Sequence, residues 1–290
     1  MNKYFQPLVV LFIFVVVAGD GYRVAQAQGV VEGAQARKFD EFGDIPMTDI
    51  KARLDNFAIE LQTEAATRGF IIVYRSRRDL PGLSARLTRR MRNYLVYSRA
   101  IPAERVVTVD GGVAAQLTQE LWIVPPGDAP VPRTDAYPKT LVDVDSVRKF
   151  DEYAYFLPED RIDAESDVEG GDSLEAFAAA LRNEPQALAY IIVYPRYDVE
   201  RREQYVGNRR TKARRIVHWD APATPAKVLR ALKAELSDRY RIAADRIRTM
   251  NGGHRRWREV EFWIVPRGQH APVPTPNTFP PRRRKARRAR

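Results

Sequence analysis

No cysteine occurs in the 290 residues, so disulfides, thiolate metal ligands and a thiol nucleophile are all excluded. Histidine is scarce: His218, His254 and His270 are the full set, and none has metal-ligand spacing with another. A nucleophile elbow, a phosphate-binding loop and a dinucleotide-binding glycine pattern are all missing. These absences point to a non-enzymatic protein with no metal site, and no cofactor is expected. Long apolar runs are lacking too, apart from one near the N-terminus. The 44% hydrophobic and 29% charged shares suit an ordinary globular protein, long enough for one large core or two small ones.

The exceptional run, Leu8 to Ala18, is unbroken and follows the weakly basic Met1-Asn2-Lys3. Ala25-Gln26-Ala27 then places small residues at −3 and −1 of a cleavage point. This layout predicts a signal peptide over 1–27, with an uncleaved anchor as the alternative. The run is shorter than the ~20 apolar residues that a membrane helix needs. The mature chain is therefore expected to be exported, periplasmic or associated with the outer surface, with no transmembrane segment. No cysteine follows the run, which excludes a lipid-anchored lipoprotein. Of the net charge of +11, seven positive charges sit in the last nine residues, leaving +4 for the rest. Such a cluster repels itself and predicts an unfolded basic end.

Comparing the chain with itself uncovers a repeat. Lys38-Phe39-Asp40-Glu41-Phe42 recurs as Lys149-Phe150-Asp151-Glu152-Tyr153, and Ile71-Ile72-Val73-Tyr74 as Ile191-Ile192-Val193-Tyr194. Ile101-Pro102-Ala103-Glu104-Arg105 matches Ile242-Ala243-Ala244-Asp245-Arg246, and Gly111-Gly112 matches Gly252-Gly253. Glu120-Leu121-Trp122-Ile123-Val124-Pro125 matches Glu261-Phe262-Trp263-Ile264-Val265-Pro266. The offset grows from 111 to 120 and then to 141, so copy two gains nine residues before its IIVY strand and 21 after it. Insertions of this kind belong in surface loops.

Each copy reads β-α-β-α-β-β. Ile50, Leu54, Phe57, Ala58 and Leu61 fall on one helical face behind Thr48 as a cap. Leu174, Phe177, Ala178 and Leu181 do the same behind an Asp172/Glu175 capping box. A second helix carries Leu83, Leu87, Met91 and Leu95; its counterpart carries Val228, Leu232, Leu236 and Tyr240, opened by Thr224-Pro225. The glycine pairs read as turns. The fold class is α+β: two tandem domains, each a small mixed sheet with its helices packed on one face. Repeat 1 covers 37–126 and repeat 2 covers 148–267, the latter with a basic insertion over 195–223. A Pro-rich linker spans 127–147, and a Pro-rich and Arg-rich disordered tail spans 268–290.

This order of elements resembles the OmpA-like domain, the peptidoglycan-binding module of outer membrane protein A and its relatives. The residues that carry the resemblance are Phe39-Asp40, Asn93-Tyr94-Leu95-Val96, Arg99-Ala100-Ile101 with Glu104-Arg105, and the stretch Arg256 to Phe262. It implies a bacterial cell envelope protein of the periplasm or outer membrane. It also implies an Asp after the central strand and an Arg in the next helix, gripping the diaminopimelate of peptidoglycan by charge-assisted hydrogen bonds. The chain departs from that pattern: Leu87 and Val228 stand where the Arg is required. Arg86 and Lys227 lie one position earlier, about 100° round the helix. Asp79 and Asp198 are the nearest carboxylates after the central strands.

The candidate ligand-binding residues are thus Asp79, Arg86, Asp198 and Lys227, with Arg256 and Arg258 on the closing strand of repeat 2. The insertion adds a basic patch of Arg201, Arg202, Arg209, Arg210, Arg214 and Arg215, interleaved with Tyr197, Tyr205 and Trp219. That composition suits an anionic polymer, while a solvated loop without a partner is the plainer reading. Trp122 and Trp263 read as packing residues against a helix or sheet edge, with sugar stacking as the alternative. The expected function is an exported envelope binding or structural protein, its partner peptidoglycan or another anionic envelope polymer. The alternative is a protein–protein interaction module of an envelope complex that binds no polymer. No nucleic-acid partner is expected.

Overall fold

The computed structural model describes residues 35–131, 133–137, 146–155, 173–206, 209–221 and 223–277, leaving aside the side chains of 198–218. The expected signal peptide, Asp172 of the capping box and the tail from residue 278 lie outside the described residues. Both repeats belong to one compact unit that begins at Gln35.

Repeat 1 runs β1 (Arg37–Phe42), α1 (Met47–Thr63), β2 (Arg68–Ser76), α2 (Leu83–Asn93), β3 (Val106–Ala114) and β4 (Thr118–Val124). Repeat 2 runs β5 (Arg148–Ala154), α3 (Leu174–Asn183), β6 (Leu188–Tyr194), β7 (Tyr197–Val206), β8 (Arg209–Trp219), α4 (Thr224–Ala234), β9 (Ile247–Asn251) and β10 (Glu259–Val265). The sheets are ordered β1-β4-β2-β3 and β5-β10-β6-β9. In each, the IIVY strand pairs parallel with the strand after the second helix and antiparallel with the closing strand. The expected tandem α+β architecture with mixed sheets is what the chain forms.

Two separate cores follow from the apolar periodicity. Leu54, Phe57 and Leu61 of α1 are fully buried with Ile71, Val73, Leu121 and Ile123 on one face of the first sheet. Phe177 and Leu181 of α3 do the same with Ile191, Val193, Phe262 and Ile264. Each such side chain contributes about 1.5–3 kcal/mol by leaving water. Phe39 packs on Phe57, and Phe150 on Phe177, with ring centroids 5.3 Å apart in both cases.

The helix exits are also duplicated. α2 and α4 each widen into a π-helical turn, at Tyr94–Ser98 and Glu235–Arg239. Two positions beyond each turn stands a residue with a positive φ that is not glycine: Ala100 at 54° and Arg241 at 60°. The next amide then reaches back to the helix, Ile101 N to Leu95 O and Ile242 N to Leu236 O, both at 3.0 Å. Arg105 donates to the Leu61, Glu64 and Thr67 carbonyls, and Arg246 to those of Leu181, Glu184 and Ala187. A guanidinium thus closes the C-terminus of α1 and of α3, where a cation also opposes the helix dipole.

The repeats touch through an edge strand. Gly82 N donates to Phe150 O at 2.8 Å, and a Cβ on Gly82 would lie 2.7 Å from that of Asp151. Asp151 is fully buried and pairs with Arg86 of α2 at 3.1 Å. Its counterpart Asp40 pairs within its own repeat, with Arg53 of α1.

Three expectations need correction. The insertion over 195–223 is a β-hairpin rather than a loop, its strands paired from Tyr197↔Trp219 to Val206↔Arg209 with a bulge between Gln204 and Tyr205. Gly111-Gly112 is a bulge inside β3 rather than a turn, since Val73 faces Asp110 while Tyr74 faces Gly112. Thr48 caps no backbone amide of α1; its hydroxyl donates to the neighbouring Asp49 carboxylate, and Pro46 precedes the helix.

A left-handed residue with a Cβ costs about 1–2 kcal/mol. Ala100→Gly and Arg241→Gly are each expected to raise unfolding stability by roughly 1 kcal/mol. Urea denaturation of the two variants measures this.

Candidate functional site

The helix-free face of each sheet carries a buried charge cluster assembled from the repeated residues. It begins with a bulge in the first strand. β1 slips by one residue between Lys38 and Asp40, and β5 slips at the equivalent place opposite Phe262/Trp263. Regular alternation would put Lys38 and Glu41 on opposite faces; the extra residue brings them together. Lys38 Nζ accordingly reaches Glu41 at 2.6 Å, and Lys149 reaches Glu152 at 2.7 Å.

Each lysine also reaches a fully buried carboxylate on the closing strand, Lys38 to Glu120 at 2.8 Å and Lys149 to Glu261 at 2.9 Å. The indole two residues on donates to the same carboxylate, Trp122 to Glu120 at 2.8 Å and Trp263 to Glu261 at 2.9 Å. The tryptophans therefore sit on the sheet face away from the helices, rather than against a helix or edge. Beside each carboxylate stands the IIVY tyrosine. It fits only because the residue its ring packs on is glycine: a Cβ on Gly111 or Gly252 would meet the Tyr74 or Tyr194 ring at 2.4 Å. The following glycine has a positive φ, 89° at Gly112 and 82° at Gly253.

A guanidinium completes the cluster, from a different segment in each repeat. In repeat 1 it is Arg133, which lies over the Tyr74 ring at 5.5 Å and reaches Glu41 at 2.9 Å and Glu120 at 3.4 Å. In repeat 2 it is Arg255, 3.5 Å from the Tyr194 centroid and paired with Glu152, Glu259 and Glu261. Burial alone would push the Glu261 carboxyl up, but Lys149, Trp263 and Arg255 together hold it below the usual range. Lys149 is raised in return: burial opposes this, and Glu152 and Glu261 outweigh it.

These clusters fasten the proline-containing segment that follows each repeat across the sheet. Tyr137 and Val113 exchange backbone hydrogen bonds at 2.7 and 2.9 Å, adding a bridge beside β3. In repeat 2, Arg255 donates to both the carbonyl and the hydroxyl of Thr275, and Thr275 N donates to Tyr194 Oη. Asn277 N reaches His254 O at 3.0 Å. Residues 268–277, expected to be part of a disordered tail, thus follow a defined path. Ala129-Pro130-Val131-Pro132 recurs as Ala271-Pro272-Val273-Pro274, each shortly after a positive-φ glycine, Gly127 and Gly268. The "linker" and the start of the "tail" are one repeated element.

At the far end of β2 lies an open cleft of about 810 Å³. Asp44, Arg77, Arg78, Asp79 and Asp135 line it together with Tyr137. Asp79 accepts from Ser76 N at 2.7 Å, Asp135 pairs with Arg133, and Arg77 lies over the Tyr137 ring at 5.5 Å. Arg78 and Asp44 are exposed and form no ion pair among the described residues.

Of the expected ligand residues, Asp79 alone lies in this cleft. Arg86 is committed to Asp151 of repeat 2. Lys227 is exposed on α4, and Asp198 lies at the hairpin base opposite His218. Arg256 stacks over Trp257 at 5.6 Å, and Arg258 is a buried partner of Asp220 at 2.6 Å. The basic-patch arginines fall on the hairpin: Arg201 opposite Arg215, Arg202 opposite Arg214, and Arg209 and Arg210 opposite Val206 and Tyr205. Among the described residues no group of acidic and histidine side chains is arranged to hold a metal, and no helix is long and apolar enough to cross a membrane. Comparison with models of known protein families finds no match, and comparison with curated proteins finds none either.

A carboxylate whose folded pKa lies below its unfolded value stabilises above the unfolded value and loses that contribution as pH falls through the folded one. The reverse holds for Lys149, whose contribution is lost as pH rises through its raised folded value. Glu261→Gln is expected to cost about 3 kcal/mol at neutral pH, because it removes the buried counter-charge of the buried Arg255 and the half-buried Lys149. The difference from the parent protein narrows as pH falls below about 4. Urea denaturation across pH measures both effects.

Proposed function

We propose that the chain is a non-enzymatic binding and structural protein of the cell envelope, with its ligand site in the cleft of repeat 1. The observation that carries this reading is the mixture of charges at the end of the central strand. Asp44 and Asp79 offer carboxylates to an ammonium group, while Arg77 and Arg78 offer guanidiniums to a carboxylate. A ligand bearing both groups, such as the diaminopimelate of a peptidoglycan stem, complements that set. The resemblance to OmpA-like domains supports the same partner, with Arg77 and Arg78 standing in for the missing helix arginine. In repeat 2 the β7–β8 hairpin leaves the sheet at the equivalent point. The signal-like N-terminus supports an exported, periplasmic or outer-surface location.

One observation favours the alternative of a protein-docking module. Val131 and Val273, at equivalent positions of the repeated Pro-Val-Pro element, are 67% and 80% exposed. Salt dependence separates the two, since binding through charges weakens as salt screens them.

The test is co-sedimentation of the mature protein with purified peptidoglycan. Retention at physiological salt is expected, falling about tenfold in Arg78→Ala and in Asp44→Ala, with unchanged thermal stability because both side chains are exposed. No retention of the parent protein, or equal retention of both variants, contradicts the reading.

A further inference from the structure

The root of the β7–β8 hairpin presents two tryptophans in a way that large apolar side chains rarely are. Trp219 is 54% exposed and Trp257 is 56% exposed. An indole left more than half exposed is a common feature of binding surfaces, where its flat face meets a partner. The two belong to one place, because their sequence neighbours Asp220 and Arg258 form a buried, bidentate ion pair with bonds of 2.6 and 2.7 Å. Asp220 also accepts from Arg196 N at 2.7 Å, which locks the hairpin base to the strand it leaves.

Both rings are held. Trp219 packs on Tyr197 at 5.5 Å and edge-on against His254 at 4.6 Å, and Arg256 lies over Trp257 at 5.6 Å. A preset ring loses little freedom on binding. From this root runs a predominantly basic arm. From Tyr197 to Trp219 the chain has six arginines and one lysine against Asp198, Glu200 and Glu203, a net charge of +4. Arg201 faces Arg215 and Arg202 faces Arg214 across the ladder. Like charges directly opposite are destabilising, and a two-stranded sheet is marginal on its own. Among the described residues this hairpin pairs with neither four-stranded sheet. Bound anions relieve that repulsion.

We propose that the root and arm together bind a linear acidic polysaccharide, with sugar faces stacking on Trp219 and Trp257 and carboxylates meeting the hairpin arginines. The indoles supply what bare electrostatics lacks, a surface for the apolar face of a sugar ring. This site is on repeat 2 and does not rest on the cleft of repeat 1.

The experiment uses the full mature chain, tail included, and titrates it with polygalacturonate oligomers while following tryptophan emission and heat of binding. Saturable binding is expected, weakening steeply between 50 and roughly 300 mM salt. Trp219→Ala and Trp257→Ala are each expected to weaken it about tenfold without changing the melting temperature. Arg202→Gln/Arg214→Gln is expected to weaken it similarly and to flatten the salt dependence. Inorganic polyphosphate, which has no sugar face, is expected to bind with no loss in the tryptophan variants. A galacturonate polymer carries no peptide, so Arg78→Ala is expected to leave this binding untouched whatever the fate of the cleft. The proposal is overturned by parent-like binding in both tryptophan variants, which would assign attraction to charge alone. It is equally overturned if anionic lipid vesicles or a single-stranded DNA oligomer bind more tightly than the polysaccharide.

Discussion

A carboxylate with essentially no exposure sits in the closing strand of each sheet, on the face that carries no helix. Glu120 and Glu261 dictate what must surround them. A buried charge is tolerated only with compensating charge and hydrogen bonds, so a lysine, an indole N–H and a guanidinium converge on each. The guanidinium in turn meets the segment that follows the repeat, as its own residue in one case and as the clamp on Thr275 in the other. The second face of the sheet is thereby covered by a proline-containing strap instead of a second layer of helices.

The two repeats reach this arrangement differently, which identifies the constraint behind it. Arg133 comes from the strap and Arg255 from the approach to the last strand, yet both lie over the IIVY tyrosine and bond the same pair of glutamates. The position of the cation in the sequence has changed while its position in space has not. What the site demands is positive charge over Tyr and beside Glu. The substituted element is free to do other things: Arg255 and its neighbours now brace the hairpin root, through the backbone bond between Tyr197 N and Arg255 O.

Much of this was legible from the residues. Five ordered matches gave the duplication, the helical spacing gave the apolar faces, and the unit β-α-β-α-β-β formed twice. Apolar periodicity works because burial acts on every core residue in the same direction. The polar architecture was harder to read for three reasons. The bulges at Phe39 and Phe150 break the alternation that assigned Lys38 and Glu41 to opposite faces. The Gly-Gly pairs looked like turns, although one glycine makes room for a tyrosine ring and the other supplies a positive φ. Proline-rich stretches read as linker and tail, and only their mutual likeness, Ala-Pro-Val-Pro in both, distinguishes them from spacers. The candidate site was partly legible: Asp79 lies in the cleft, while Arg86 was claimed by Asp151, a partner that no single-repeat comparison exposes.

The central claim is that the buried carboxylate holds the strap, through the guanidinium it orients. Amide hydrogen exchange in Glu261→Gln tests this most directly, read at Thr275 and Asn277 and, as an internal reference, along β6 and β10. The account predicts that the two strap amides exchange at least tenfold faster while the sheet amides of Ile191 to Val193 change much less. Strap amides that stay as protected as in the parent protein, with the sheet equally intact, contradict it.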